Sequence, residues 1–62
     1  MKYTYHLLDD GGMSTVDDIP FRMDIGTKFL HEYGYYQVRY YRNDNAAVCE
    51  RLMTIQEYNQ DK

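Results

Sequence analysis

Two histidines, one cysteine and ten carboxylates are the side chains of this 62-residue chain most suited to acid–base, nucleophilic or metal chemistry. Their spacing does not assemble a site. His6 lies on the polar side of the run KYTYHLL, and His31 shares a face with Phe29, so each reads as an ordinary strand histidine. Cys49 has Glu50 and Arg51 as neighbours and no histidine close in sequence. A small lone thiol in that setting is an apolar filler rather than a nucleophile. No CxxC or HxxxH spacing marks a metal centre. The pairs Asp9-Asp10 and Asp17-Asp18 fall in turn-like segments, where aspartate serves the backbone. Gly11-Gly12 lacks the following lysine and helix of a phosphate-cradling loop. The expectation is a non-enzymatic protein without cofactor or metal.

Binding chemistry is more visible. Five of the eight tyrosines fall between residues 33 and 41, in EYGYYQVRYYR, with Arg39 and Arg42 among them. Read as a strand over 35–42, this stretch places Tyr36, Val38 and Tyr40 on one face and Tyr35, Gln37, Arg39 and Tyr41 on the other. The first set holds the aliphatic residue and is assigned to the core. The second faces outward, where Tyr35, Arg39, Tyr41, Arg42 and the nearby Lys28 form a candidate partner-binding surface. Tyrosine and arginine supply large contact area together with hydrogen bonds, the combination enriched at protein-binding hot spots. The same residues could stack and neutralise a single-stranded nucleic acid, which is the alternative reading.

Charge weighs against that alternative. The net charge is −3. Residues 1–27 hold five aspartates against Lys2 and Arg22, whereas residues 28–42 hold Lys28, Arg39 and Arg42 against Glu32. An acidic chain with a locally basic tyrosine strand repels polyanions overall and releases few counterions on binding one. Another protein is therefore the expected partner. In size, acidity and tyrosine content the chain is similar to inhibitors and adaptors carried by phages and mobile elements, some of which imitate the charge of DNA. Its aspartate-rich first half would suit such mimicry.

The elements that must position these residues are short. A chain of this length makes one domain, residues 1–62, of marginal stability, and a lone cysteine cannot staple it. Aromatic burial and a homodimer are the expected supports. The free thiol, the absence of a signal-type apolar run and the start at Met1 read as a complete cytoplasmic protein, with no stretch apolar enough to span a membrane.

Residues 2–8 alternate as a strand, and Asp9 to Gly12 reverse it. Residues 13–25 read as an irregular arm with Ile19, Phe21 and Ile25 tucked in, since Pro20 opposes a helix. A second strand follows Gly26, in TKFLHE, then a Tyr33-Gly34 reversal and the tyrosine strand. Asn43 to Asn45 is a turn. Residues 46–53 read as a fourth strand, and the capping-box pattern Thr54 to Glu57 starts a helical turn at 55–60. The class expected is mainly β, a four-stranded antiparallel meander bent into a small SH3-like half-barrel. Three strands with a C-terminal helix, an α+β arrangement, is the alternative.

Overall fold

The structure is a computed structural model, and it describes residues 2–32 and 34–60. Five strands, β1 (Tyr3–Asp9), β2 (Gly12–Ile19), β3 (Lys28–His31), β4 (Gly34–Asn43) and β5 (Ala46–Thr54), precede one short helix, α1 (Ile55–Gln60). They form a single curled half-barrel sheet in the order β2-β1-β5-β4-β3. The mainly β class and the short C-terminal helix match the sequence reading. Tyr33, part of the expected reversal before β4, lies outside the described residues.

The strand number is five rather than four because residues 12–19 pair with β1 instead of lying as an irregular arm. Two adjacent aspartates hid that strand. Tyr3 faces Ile19 and Tyr5 faces Val16, so β2 carries an extra residue across from Thr4. Asp18 absorbs the insertion with φ 62°, a left-handed conformation that aspartate tolerates better than most L-residues. The bulge restores Ile19 to the inner face occupied by Val16, but it destroys the period-two pattern by which a strand is read.

The sheet is also not a pure meander. β1 runs parallel to β5, from Thr4 opposite Ala46 to Leu8 opposite Glu50, which joins the first hairpin to the β3–β4–β5 meander. Alternation then determines the core. Tyr5 and Leu7 from β1, Tyr36 and Val38 from β4, and Ala47 and Cys49 from β5 share the concave face and are buried. Phe29 stacks on Tyr36 at a centroid distance of 5.9 Å, and His31 meets the edge of that ring at 6.4 Å. Each large side chain buried here contributes about 1.5–3 kcal/mol.

Two close approaches finish the fold. A Cβ on Gly34 would stand 2.7 Å from the Met53 carbonyl oxygen, so only glycine lets β4 begin against β5. At the same end of β5 the expected capping box is formed. Thr54 N–H donates to Glu57 Oε1 at 2.8 Å, and Glu57 N–H donates to Thr54 Oγ1 at 3.1 Å. The Thr54 backbone and hydroxyl contacts hold the Glu57 carboxyl below its usual range.

The bulge gives a direct test. Asp18→Val should cost about 1–2 kcal/mol of stability, because a β-branched residue resists the left-handed conformation. Asp18→Gly should change stability by less than about 0.5 kcal/mol, since relief of strain offsets added chain entropy. Urea denaturation of the three proteins measures both. Equal losses in the two variants would mean that the aspartate side chain, not the backbone angle, matters.

Candidate functional site: an apolar cleft under a pinned strap

The tyrosine strand does not present the face expected of it. Val38 faces Cys49 and Tyr40 faces Val48, so Arg39 is an inserted residue on β4. That bulge reverses the alternation beyond it. Tyr36 and Val38 are buried as expected, but Tyr40, expected in the core, is 54% exposed. Tyr41, expected outward, turns in and packs against the core cluster.

The other expected binding residues are dispersed. Arg39 Nε donates to Glu50 Oε1 at 3.0 Å, and its Nη2 reaches the same oxygen, so its charge is offset by a neighbouring strand. Lys28 lies opposite Gln37 and is exposed. Arg42 is exposed within a third irregularity, between Tyr41 and Asn43. Tyr35 lies at the far end of β4, tilted against Tyr58 of α1 at a ring distance of 5.2 Å. The outer face thus carries Arg39, Arg42, Lys28 and an exposed Tyr40 as separate groups, while Tyr41 is on the opposite side of the sheet.

Inside, Tyr41 has a different task. Residues 20–27 cross the concave face as a strap between β2 and β3. Tyr41 Oη donates to the Met23 carbonyl at 2.6 Å, and Tyr5 Oη accepts the Met23 N–H at 2.8 Å. Tyr5 Oη lies 3.1 Å from the Phe21 carbonyl and 3.2 Å from Tyr41 Oη. With the Tyr41 proton committed to Met23 and the Tyr5 proton donated to Phe21, every strap group in the network has a partner. Arg22 covers the Tyr41 ring, its guanidinium carbon 4.3 Å from the centroid, and pairs with Asp24 at 2.7 Å. Burial, with the Tyr5 contact adding to it, pushes the Tyr41 hydroxyl up to about 12. The strap's end is fixed by backbone bonds, Gly26 N–H to the Val38 carbonyl at 2.8 Å and Val38 N–H to the Thr27 carbonyl at 2.9 Å.

Pinned in this way, the strap leaves a cleft between itself and the strands. Its volume is ≈ 260 Å³, and its walls are Tyr5 and Leu7 of β1, Val16 and Ile19 of β2, Phe21 and Met23 of the strap, and Phe29, Leu30 and His31 of β3. The lining is almost wholly apolar. Ile19 is half-buried, as expected of the arm, whereas Phe21 and Ile25, expected to be tucked in, are 59% and 61% exposed. The alternation Ile19, Phe21, Met23 is the sequence signal for this wall.

The cysteine and histidines do not build a reactive centre around the cleft. Cys49 is buried in the core, and desolvation pushes its thiol up to about 11, so it is held as the neutral thiol. His6 Nδ1 lies 3.3 Å from Thr15 Oγ1 on the outer side of the β1–β2 pair. Among the described residues no group of His, Cys, Asp and Glu gathers in metal-binding geometry, and no helix is long and apolar enough to cross a membrane.

No family model, curated protein or solved structure matches this chain.

The two raised groups fix the sign of an alkaline response. Cys49 and Tyr41 both keep their protons longer in the folded chain than in the unfolded one. The unfolded state therefore binds fewer protons as pH rises, and stability present below pH 9 should be lost progressively from pH 9.0 to about 12. Tyr41→Phe should remove the upper part of that loss and cost about 1–2 kcal/mol at neutral pH, through the orphaned Met23 carbonyl. Tyr40→Phe should be neutral. Denaturant melts from pH 7 to pH 11 check both, and equal effects of the two substitutions would overturn the inward assignment of Tyr41.

Proposed function

We propose that this protein is a non-enzymatic protein-interaction module whose docking surface is the cleft between β2, β3 and the strap, and whose ligand is an apolar segment of another protein. The observation that carries the reading is the cleft's lining: an open, preformed apolar hollow whose walls keep Phe21 and Leu30 exposed by about half. Water covers such a surface at a cost, and its size suits a few apolar side chains rather than a folded element. The strap's hydrogen bonds hold the hollow open before anything binds, which reduces the ordering cost of association.

The outer tyrosine–arginine face supports the reading less. Arg39 is paired with Glu50, and Tyr41 belongs to the interior. What remains outside is Tyr40 between scattered cations on a chain of net charge −3, a poor platform for either a protein or a nucleic acid.

A random-peptide library displayed on phage, selected against the intact protein, supplies ligands for the test. Peptides that win should contain apolar residues and should lose about tenfold or more in affinity against Leu30→Asp, the scale of a hot-spot truncation. Arg42→Ala and Tyr40→Ala should leave their affinity within about twofold. Fluorescent oligonucleotides should bind no tighter than roughly 100 μM at physiological salt. Winners that depend on Tyr40 and Arg42 but not on Leu30, or micromolar oligonucleotide binding with a steep salt dependence, would overturn the proposal.

A further inference from the structure

A sheet that does not close leaves backbone N–H and C=O groups along its two outer strands, and these pair with an extended chain unless charge, proline, a bulge or shortness prevents it. β2 and β3 are the outer strands here. β3 has four residues and begins with Lys28, so it is guarded by length and charge. β2 is guarded at one end alone. Its Ile19 end holds the bulge, the left-handed Asp18 and both aspartates. From Gly12 to Val16, GMSTV, it has no charge and no proline, and its register with β1 runs without a shift from Asp9 opposite Gly12 to Tyr5 opposite Val16.

This unguarded edge borders the cleft. Val16 is one of the cleft's walls, and Leu30 and His31 of β3 stand across it. A strand laid along Gly12–Val16 would turn every second side chain into the hollow, because strand side chains alternate between faces. Its backbone would meanwhile take up the open N–H and C=O groups of β2.

Charge selects the occupant. Asp9 and Asp10 stand just before the open edge, and Asp17 and Asp18 just after it. Arg51 offsets Asp10 at 2.9 Å, and Asp17 accepts the Thr4 hydroxyl at 3.0 Å, which leaves its charge in place. A second copy pairing antiparallel through its own β2 would set one pair of aspartates against the other copy's pair, and repulsion opposes it. A segment with lysine or arginine at its ends is attracted by both.

We infer that β2, from Gly12 to Val16, takes up an extended segment of another protein as a sixth strand, with apolar side chains turned into the cleft and basic residues at its two ends. The inference rests on the cleft being a protein-docking surface and adds the mode of capture, a backbone ladder in which side-chain pockets supply selectivity.

The test uses peptides selected from the same phage library, synthesised in three forms: as selected, with the terminal Lys and Arg replaced by Glu, and with alternate backbone nitrogens methylated. Expected are winners that alternate apolar and polar residues between basic ends. Against the intact protein they should slow amide hydrogen exchange within Gly12–Val16, and affinity should drop about tenfold or more for both the Glu-ended and the N-methylated forms. Asp17→Asn with Asp18→Asn, which keeps a residue tolerant of the left-handed angle, should shrink the preference for basic ends. Peptides that need Leu30 but bind equally well when N-methylated, or leave the β2 amides unchanged, would overturn strand addition while leaving the cleft as the docking surface. Failure to select any Leu30-dependent peptide would overturn both.

Discussion

Everything on the concave side depends on two phenol hydroxyls meeting over one strap. Tyr5 and Tyr41 come from strands at different places in the sheet, and between them they hold the N–H and C=O of Met23 and the carbonyl of Phe21. The strap has no ladder of its own over residues 20–25, so these bonds substitute for secondary structure. Without them a buried backbone would keep unsatisfied polar groups, a cost of about 1–3 kcal/mol each. The arrangement needs Tyr41 to point inward, and it does so because Arg39 is an extra residue on β4. One inserted position thus turns a surface tyrosine into the clamp that shapes the cleft. The tyrosine-rich stretch owes much of its composition to the interior, where rings fill a core too small for aliphatics alone and hydroxyls secure a segment that cannot pair.

The sequence was informative where patterns are local. Tyr36 and Val38 announced the inner face of β4, Thr54 to Glu57 announced the start of α1, and Cys49 read as a filler and is buried in the core. It was uninformative where the pattern is broken on purpose. A bulge leaves no composition signal, so the faces beyond Arg39 were assigned to the wrong sides, and Tyr40 and Tyr41 exchanged roles. The same effect at Asp17-Asp18 concealed β2 altogether. The parallel pairing of β1 with β5 was illegible for another reason: it joins segments about forty positions apart, and no local preference encodes such a contact. The cleft combines both difficulties. Its strap wall could be suspected from Ile19, Phe21 and Met23, but its opposite wall exists only once the sheet has curled.

The two faces divide the chemistry. Outside, charges are paired or scattered, as Arg39 with Glu50, and the surface is that of an ordinary solvated sheet. Inside, the apolar walls, the open β2 edge and the flanking aspartates converge on one groove. The acidic first half of the chain, which as composition suggested imitation of nucleic acid, has a more local use in this geometry. Its aspartates bracket an edge strand, blocking some neighbours and inviting others.

The parallel seam has a consequence for how the chain reaches this state. β1 with β2 is a local hairpin, and β3, β4 and β5 are a local meander, so each can form as soon as its own residues are available. The seam between them waits for Ala46 to Glu50, about forty residues after β1. On a ribosome, the first hairpin would emerge with both of its edges bare and Tyr5 and Leu7 uncovered until Ala46 to Glu50 follow. The interior is therefore closed only when β5 joins the first hairpin to the meander. Cooperativity between the two halves of this small protein thus depends on a pairing between strands distant in sequence.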